Sequence, residues 1–217
     1  GYMIRQYFSN NLHDRIGSRP FLTVVEKLWI TFQLLKALEE ISFYGISHGD
    51  IKSENVMLTS WNWVYLVDFA CYKPTYIPED GPSEFSFFFD SSGRRTCYIA
   101  PERFISGKEV KKGEITHAMD IFSLGCVIAE LFLDGVPRTI FTLAQLLSYR
   151  KGEYNPDIAI DRIEYEPARK LIKQMISKDP EARETSSYYL NRWTDMGFPS
   201  YFEETHNYIL NLMQQDP

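Results

Sequence analysis

His48-Gly49-Asp50-Ile51-Lys52-Ser53-Glu54-Asn55 decides the reading of this chain, together with Asp68-Phe69-Ala70, which begins eighteen residues beyond Asp50. A long helical pattern precedes the first string, and two short apolar runs, 56–58 and 64–67, separate it from the second. The turn-like Thr59-Ser60-Trp61-Asn62 between the runs predicts a hairpin, with the second string at its end. These residue types suit phosphoryl transfer. That chemistry needs metal ions on the phosphates, a carboxylate to orient the attacking hydroxyl and a cation near the moving group. Asp50 can be the hydroxyl-orienting base. Lys52, two residues on in an extended loop, points the same way and can neutralise the γ-phosphate. Asn55 and Asp68 offer hard oxygen ligands suited to Mg²⁺. For His48 the expectation is a packed structural role.

The chain around these strings is ordinary for a globular protein. It has 217 residues, 44% hydrophobic and 24% charged, enough for one large domain or two small ones with a proper core. The net charge is -6, and the basic residues are scattered without a run, which argues against nucleic acid as a partner. Three cysteines, Cys71, Cys97 and Cys126, form no C-x-x-C pair and are odd in number. Zinc and a disulfide framework are disfavoured, and a reducing intracellular compartment is expected. No apolar stretch reaches the length of a membrane span. The chain opens on Gly1 rather than Met, so we read it as a fragment.

The expected organisation is mostly helical. Residues 1–7 read as a short strand running into a polar link over 9–14. Leu28, Phe32, Leu35, Leu38 and Ile41 set a helix that Gly45 can end. Residues 71–99 hold several Pro and Phe without a period and predict a long functional loop. Residues 118–133 form the most apolar helix pattern. Thr142 with Gln145 marks a capping box for a helix to about Arg150, and Ala168, Leu171, Ile172, Met175 and Ile176 mark another helix. Short helices are expected near 186–192 and 201–213.

The motifs, taken in order, resemble those of the protein kinase family. His48-Gly49-Asp50 with Asn55 resembles the catalytic loop H-R-D-L-x-x-x-N, and Asp68-Phe69-Ala70 the D-F-G motif. Thr96-Cys97-Tyr98-Ile99-Ala100-Pro101-Glu102 resembles the end of an activation segment. Asp120-Ile121-Phe122-Ser123-Leu124-Gly125 resembles the start of the buried central helix, and Asp179-Pro180 with Arg183 the late Arg of the fold. The resemblance implies an α+β, protein-kinase-like fold, specifically a mainly α-helical C-terminal lobe with a small β-hairpin, the N-terminal lobe being absent. It implies that Asp120 braces the catalytic-loop backbone and that Glu102 pairs with Arg183. It implies ATP or another purine nucleotide with Mg²⁺, held by Asn55 and Asp68. Lys52 at its place after Asp50 favours serine/threonine over tyrosine kinases. Small-molecule kinases of the aminoglycoside phosphotransferase type also carry His-Gly-Asp, but lack the A-P-E segment and the D-x-x-S-x-G helix found here.

Gly49 and Ala70 depart from the usual H-R-D and D-F-G. They are the expected forms in one branch, the vacuolar-sorting serine/threonine kinases that regulate a class III phosphatidylinositol 3-kinase. That branch is also resembled by Thr59-Ser60-Trp61-Asn62-Trp63, Lys73-Pro74-Thr75-Tyr76, the run from Arg94 to Arg103, hinge-like Ile4-Arg5-Gln6-Tyr7 and Asn11-Leu12, Asp14-Arg15-Ile16. The resemblance implies a kinase domain over 1–193 and the start of a helical linker toward a repeat region over 194–217. Flanking parts are expected outside this chain: an N-terminal myristoyl anchor that reaches the membrane, HEAT repeats and a WD40 propeller. Implied partners are the class III phosphatidylinositol 3-kinase catalytic subunit with its autophagy and sorting adaptors, at endosomal, vacuolar or autophagic membranes. The fragment, with no glycine-rich loop and no V-A-I-K strand, is expected to be inactive. The whole protein is read as a serine/threonine kinase, with a nucleotide-binding pseudokinase scaffold as the alternative. Phe85, Phe87, Phe88 and Phe89 make the long loop either a partner-touching element or one folded onto the core. Gly49 cannot bond a phosphate, so activation-loop phosphorylation is not expected to switch the module. Arg94 and Arg95 could bind a phosphate locally but would anchor it poorly.

Overall fold

The computed structural model describes residues 7–70, 72–90, 92–106, 113–135 and 137–215, and for 193–196 its description is of the backbone. Cys71, residues 1–6 of the expected opening strand and the hinge-like Ile4-Arg5-Gln6 lie outside the described residues. Where a polar link was expected, Asn10–Asn11 pairs as strand β1, and Leu12–Gly17 forms helix α1. The Asn11 side chain accepts from the Asp14 N–H and caps that helix, while Leu12 and Ile16 turn inward. One polar face hid a short amphipathic helix.

Helix α2, Val24–Phe43, starts in a full capping box. Thr23 accepts from the Glu26 N–H, and the Glu26 carboxylate accepts from the Thr23 N–H. Leu28, Phe32, Leu35 and Leu38 are buried as their spacing requires. The hairpin β2, Val56–Leu58, with β3, Val64–Leu66, is antiparallel, and β1 adds to its edge in the order β1-β2-β3. A second pair, β4 (Ile77–Pro78) with β5 (Phe104–Ile105), is parallel.

The loop expected over 71–99 contains a helix, α3, over Pro82–Phe89. Pro82 presets its first turn. Phe85 and Phe89, four apart, are buried on one face, near each other and near Phe104, while Phe87 stands exposed. The segment therefore folds back onto the core through Phe85 and Phe89, with half-buried Phe88 packed beside them. Two turns are too short for a periodicity to show in sequence.

Helix α4, His117–Phe132, is the centre of the molecule, with every residue from Met119 to Phe132 buried. Helix α7, Glu166–Met175, packs on it so closely that a Cβ on Gly125 would stand 2.8 Å from the Met175 Cβ. Only glycine permits that approach. Helices α5 (Leu143–Lys151), α6 (Asp157–Ile160), α8 (Ser186–Met196) and α9 (Tyr201–Gln215) surround this pair. The α5 capping box forms as expected from Thr142 and Gln145. Phe198 and Phe202 seat α9 on Phe32 of α2, with ring centroids 5.3 and 5.7 Å away. The architecture is mainly helical with a small β-hairpin, as read from the sequence.

Candidate functional site

Burying α4 carries Asp120 inside, to 1% exposure, where a carboxylate persists only with partners. Its Oδ2 accepts from the His48 N–H at 2.7 Å and its Oδ1 from the Gly49 N–H at 2.9 Å. The loop that carries Asp50 is thus hung from the central helix. Burial pushes the Asp120 carboxyl up to about 6, against the pull of the two N–H donors and of Arg103. The native state then holds its proton more readily than the unfolded chain, whose Asp titrates near ~3.9. This group favours folding below about pH 4 and loses that contribution as pH rises through about 6. Asp120→Asn removes the titration, so denaturant melts between pH 4 and 6 should show a slope more positive by up to about 1.4 kcal/mol per pH unit. Its amide also turns one donor toward an N–H, which should cost about 1–3 kcal/mol at pH 7.

His48 is fully buried. Its Nε2 is 2.9 Å from the Val67 carbonyl, and its Nδ1 accepts from the Asp50 N–H at 3.2 Å, which sets the tautomer with the proton on Nε2. Burial lowers its pKa and favours the neutral ring. The Ala70 N–H donates to the His48 carbonyl at 2.8 Å, and the Val67 N–H to the Asn55 carbonyl at 3.0 Å. These bonds bracket Asp68 and bring the two sequence strings together. Asp68 itself has φ 62°, a left-handed conformation uncommon for a residue with a side chain and held by the bonds on either side.

Asn55 Nδ2 donates to the Asp50 carbonyl at 2.9 Å and to Asp50 Oδ2 at 3.1 Å, so its own oxygen remains the end available to a cation. Among the described residues no group of three or more His, Cys, Asp or Glu could hold a metal ion. The donor set fits an ion that keeps waters and takes phosphate oxygens as its other ligands, which is the habit of Mg²⁺ with nucleotides. Lys52 Nζ lies 3.4 Å from Asp50 Oδ2 and donates to the Phe89 carbonyl at 3.4 Å.

Glu102 and Arg183 pair through two contacts, 2.6 Å from Nη1 to Oε1 and 2.9 Å from Nη2 to Oε2. The Arg183 side chain is closed from solvent, and Glu102 keeps 18% of its side chain exposed. Arg183 also donates to the carbonyls of Ser177 and Ala118.

Two cations near the site, Lys73 and Arg103, had no role in the sequence, and a third, Arg94, meets carboxylates instead of the phosphate expected there. Lys73 Nζ sits 2.6 Å from Asp50 Oδ2. Arg103, 1% exposed, donates to the carbonyls of Gly49 at 2.7 Å, Pro74 at 3.0 Å and Thr75 at 2.8 Å. It ties the catalytic loop to the segment after Ala70 from a position beside Glu102. Arg94 lies between Glu54 and Glu130, 2.8 Å from each, and is engaged there by carboxylates rather than left open to a phosphate. Glu130 belongs to α4. Burial alone would raise its pKa, but bonds from His13 and Tyr98 and the charge of Arg94 outweigh that and hold it below the usual range. Lys73 and Arg103 stood inside stretches quoted for their resemblance, yet their partners are 23 and 54 residues away, and no local pattern announces them.

Gly49 has φ 79°, and a Cβ there would stand 3.2 Å from Ile115 Cγ1. A side chain is strained here whatever its chemistry. Gly49→Ala should therefore cost about 1–2 kcal/mol in denaturant melts.

The protein kinase domain model matches residues 1–193. The chain is 60% identical, over 99% of its length, to "Probable serine/threonine-protein kinase vps15" of Dictyostelium discoideum, of which it covers 11%. It is 54% identical over 93% of its length to the serine/threonine-protein kinase VPS15 of Arabidopsis thaliana, covering 14%, and 48% identical over 98% to that of Saccharomyces cerevisiae, covering 15%. It thus spans a small part of these relatives. The motif order, the joined catalytic strings and these matches give one conclusion: the chain belongs to the protein kinase family, on the side of the serine/threonine kinases.

Proposed function

We propose that this chain carries the catalytic loop and metal-binding residues of a serine/threonine kinase that transfers the γ-phosphoryl group of a purine nucleotide to a protein hydroxyl. The observation that supports it is the joining of Asp50, Asn55 and Asp68 through His48, Val67 and Ala70. In this reading Asp50 orients the hydroxyl, Lys52 faces the transferred group, and Asn55 and Asp68 hold Mg²⁺. The protein kinase family uses ATP and Mg²⁺, and the bound ion neutralises charge developing on the phosphates. His48 and Asp120 fix the loop, and Glu102 with Arg183 pins the end of the segment.

The whole protein acts, on this proposal, as regulatory subunit of a class III phosphatidylinositol 3-kinase with its autophagy and sorting adaptors, on endosomal, vacuolar or autophagic membranes. What supports this is the identity shared with the VPS15 kinases. The region beyond 193 is proposed as the start of a link toward further helical repeats. Arg103, rather than a phosphate, orders the segment, so phosphatase treatment should leave nucleotide binding unchanged.

One observation favours a second reading, a nucleotide-binding module without transfer: Lys73 already occupies Asp50. Radiolabel transfer by the purified full-length protein, with and without Asp50→Ala, decides between them. Transfer lost in the variant supports the kinase; equal counts in both remove it.

A further inference from the structure

A cavity of about 390 Å³ shares no residue with the candidate site. Three elements wall it. The first turn of α2 gives Val25 and Glu26, the hairpin turn gives Trp61 and Asn62, and the start of α9 gives Tyr201 and Thr205. Trp61 is 49% exposed, Val25 50% and Tyr201 52%. Single apolar side chains at a surface need no explanation, but three around one concavity mark a contact surface.

The two exposed rings are held in place. Trp61 lies 5.5 Å from the ring of buried Trp63, and Tyr201 meets buried Phe202 edge-on at 5.3 Å. The turn that presents Trp61 is pinned to α2. The Gln33 amide donates to the Asn62 carbonyl at 2.9 Å, and the Asn62 amide donates to Glu26 Oε1 at 3.0 Å. Rings fixed in this way lose little freedom when a ligand settles on them.

The polar groups select that ligand. Among the described residues neither the Trp61 indole N–H nor the Tyr201 hydroxyl has a hydrogen-bond partner. Glu26 already accepts from Thr23 and Asn62, so the carboxylate that would answer a peptide N–H is engaged. The walls thus offer flat aromatic faces and donors. A run of prolines matches them: it carries carbonyls and no N–H, and its rings stack on indole and phenol. An α-helix spends its own carbonyls internally and leaves both donors unanswered. A bilayer would strip water from Glu26 and from exposed Glu204, three residues from Tyr201 on the surface of α9. The same two carboxylates suit a basic residue beside the prolines.

We propose that this cavity is a docking site for a proline-rich segment of a partner protein. Its rings stack on Trp61 and Tyr201, its carbonyls accept from their N–H and O–H, and an arginine of the same segment is directed to Glu26 and Glu204. The proposal goes beyond the kinase reading and does not depend on it.

The test is fluorescence anisotropy of a labelled peptide titrated with the full-length protein. The peptide is an arginine followed by prolines enough for about three turns of polyproline helix. A control of equal length carries glycine and serine in place of proline. The proline peptide should bind and the control should not. Trp61→Ala and Tyr201→Ala should each weaken the proline peptide by about tenfold or more, the loss typical of an aromatic anchor. Trp61→Phe keeps a ring without the N–H and should fall between wild type and Trp61→Ala. Norleucine for the arginine should weaken binding by up to about fivefold, the worth of an exposed ion pair, and an unchanged value removes the arginine from the proposal. If Trp61→Ala fails to fold, as its melt will show, Tyr201→Ala on the opposite wall decides. A proline peptide that does not bind, that binds no better than the control, or that binds equally to the folded variants overturns the proposal. Sedimentation with anionic vesicles that is lost in Trp61→Ala, without binding of the proline peptide, assigns the surface to a membrane instead.

Discussion

Asp50→Ala in the full-length protein should lower phosphoryl transfer by about 10²- to 10⁴-fold, the usual cost of removing a general base. Nucleotide binding should persist, because the proposed metal ligands are Asn55 and Asp68. Loss of Asp50 Oδ2 removes partners of Lys73, Lys52 and Asn55, but the backbone bonds from Val67 and Ala70 that join the two strings do not involve its side chain. Asp68→Ala should behave differently. A ligand at about 100 times its dissociation constant stabilises the folded state by about 2.7 kcal/mol, and that gain should lose its Mg²⁺ dependence in the variant. Thermal melts with nucleotide, with and without Mg²⁺, separate the two roles. Undiminished transfer by Asp50→Ala, or an Asp68→Ala melt as Mg²⁺-dependent as wild type, would remove the corresponding assignment.

The second large effect concerns stability. Arg183→Met should cost about 3–5 kcal/mol, because it leaves Glu102 without its cation in a partly buried site. It also strips hydrogen bonds from the carbonyls of Ser177 and Ala118. For a domain of this size each kcal/mol moves the melting temperature by about 2–4 °C, so a fall of about 10 °C is expected. Methionine keeps the apolar stem near Phe122, whose ring lies 5.0 Å from the guanidinium, so the loss reports charge and hydrogen bonding rather than a cavity. Adding Glu102→Gln should recover part of the loss, since the stranded charge is then gone. A single variant melting within about 2 °C of wild type would show the pair to be a spectator.

These two expectations have different origins. The first could be written from the string at 48–55 and the triplet at 68–70. Chain-local rules bring those residues close: a capped helix before the loop, a tight turn at Asn62 and a three-residue ladder from Val56 to Leu66. The capping box at Thr142 and the apolar faces of α2, α4 and α7 are likewise set within a few residues, so the mainly helical fold was legible in the sequence. Helices α1 and α3 were not. Each offers one short buried face, Leu12 with Ile16 and Phe85 with Phe89, and two turns cannot display a period.

The sequence by itself determined the longer helices, the hairpin, their order and the family, and it named the residues proposed to hold a metal and orient a hydroxyl. The tertiary structure alone decided which charges meet. Lys73 reaches Asp50, Arg103 reaches Gly49, and Arg94 reaches Glu54 and Glu130, across separations of 23, 54, 40 and 36 residues. Such pairings follow from where the packed core leaves a carboxylate or carbonyl without water. Burial of α4 obliges Glu130 to find cations, and Lys73, with the Phe89 ring 5.1 Å from its ammonium, meets the buried Asp50. A charge in a sequence carries no record of the partner that burial will require of it.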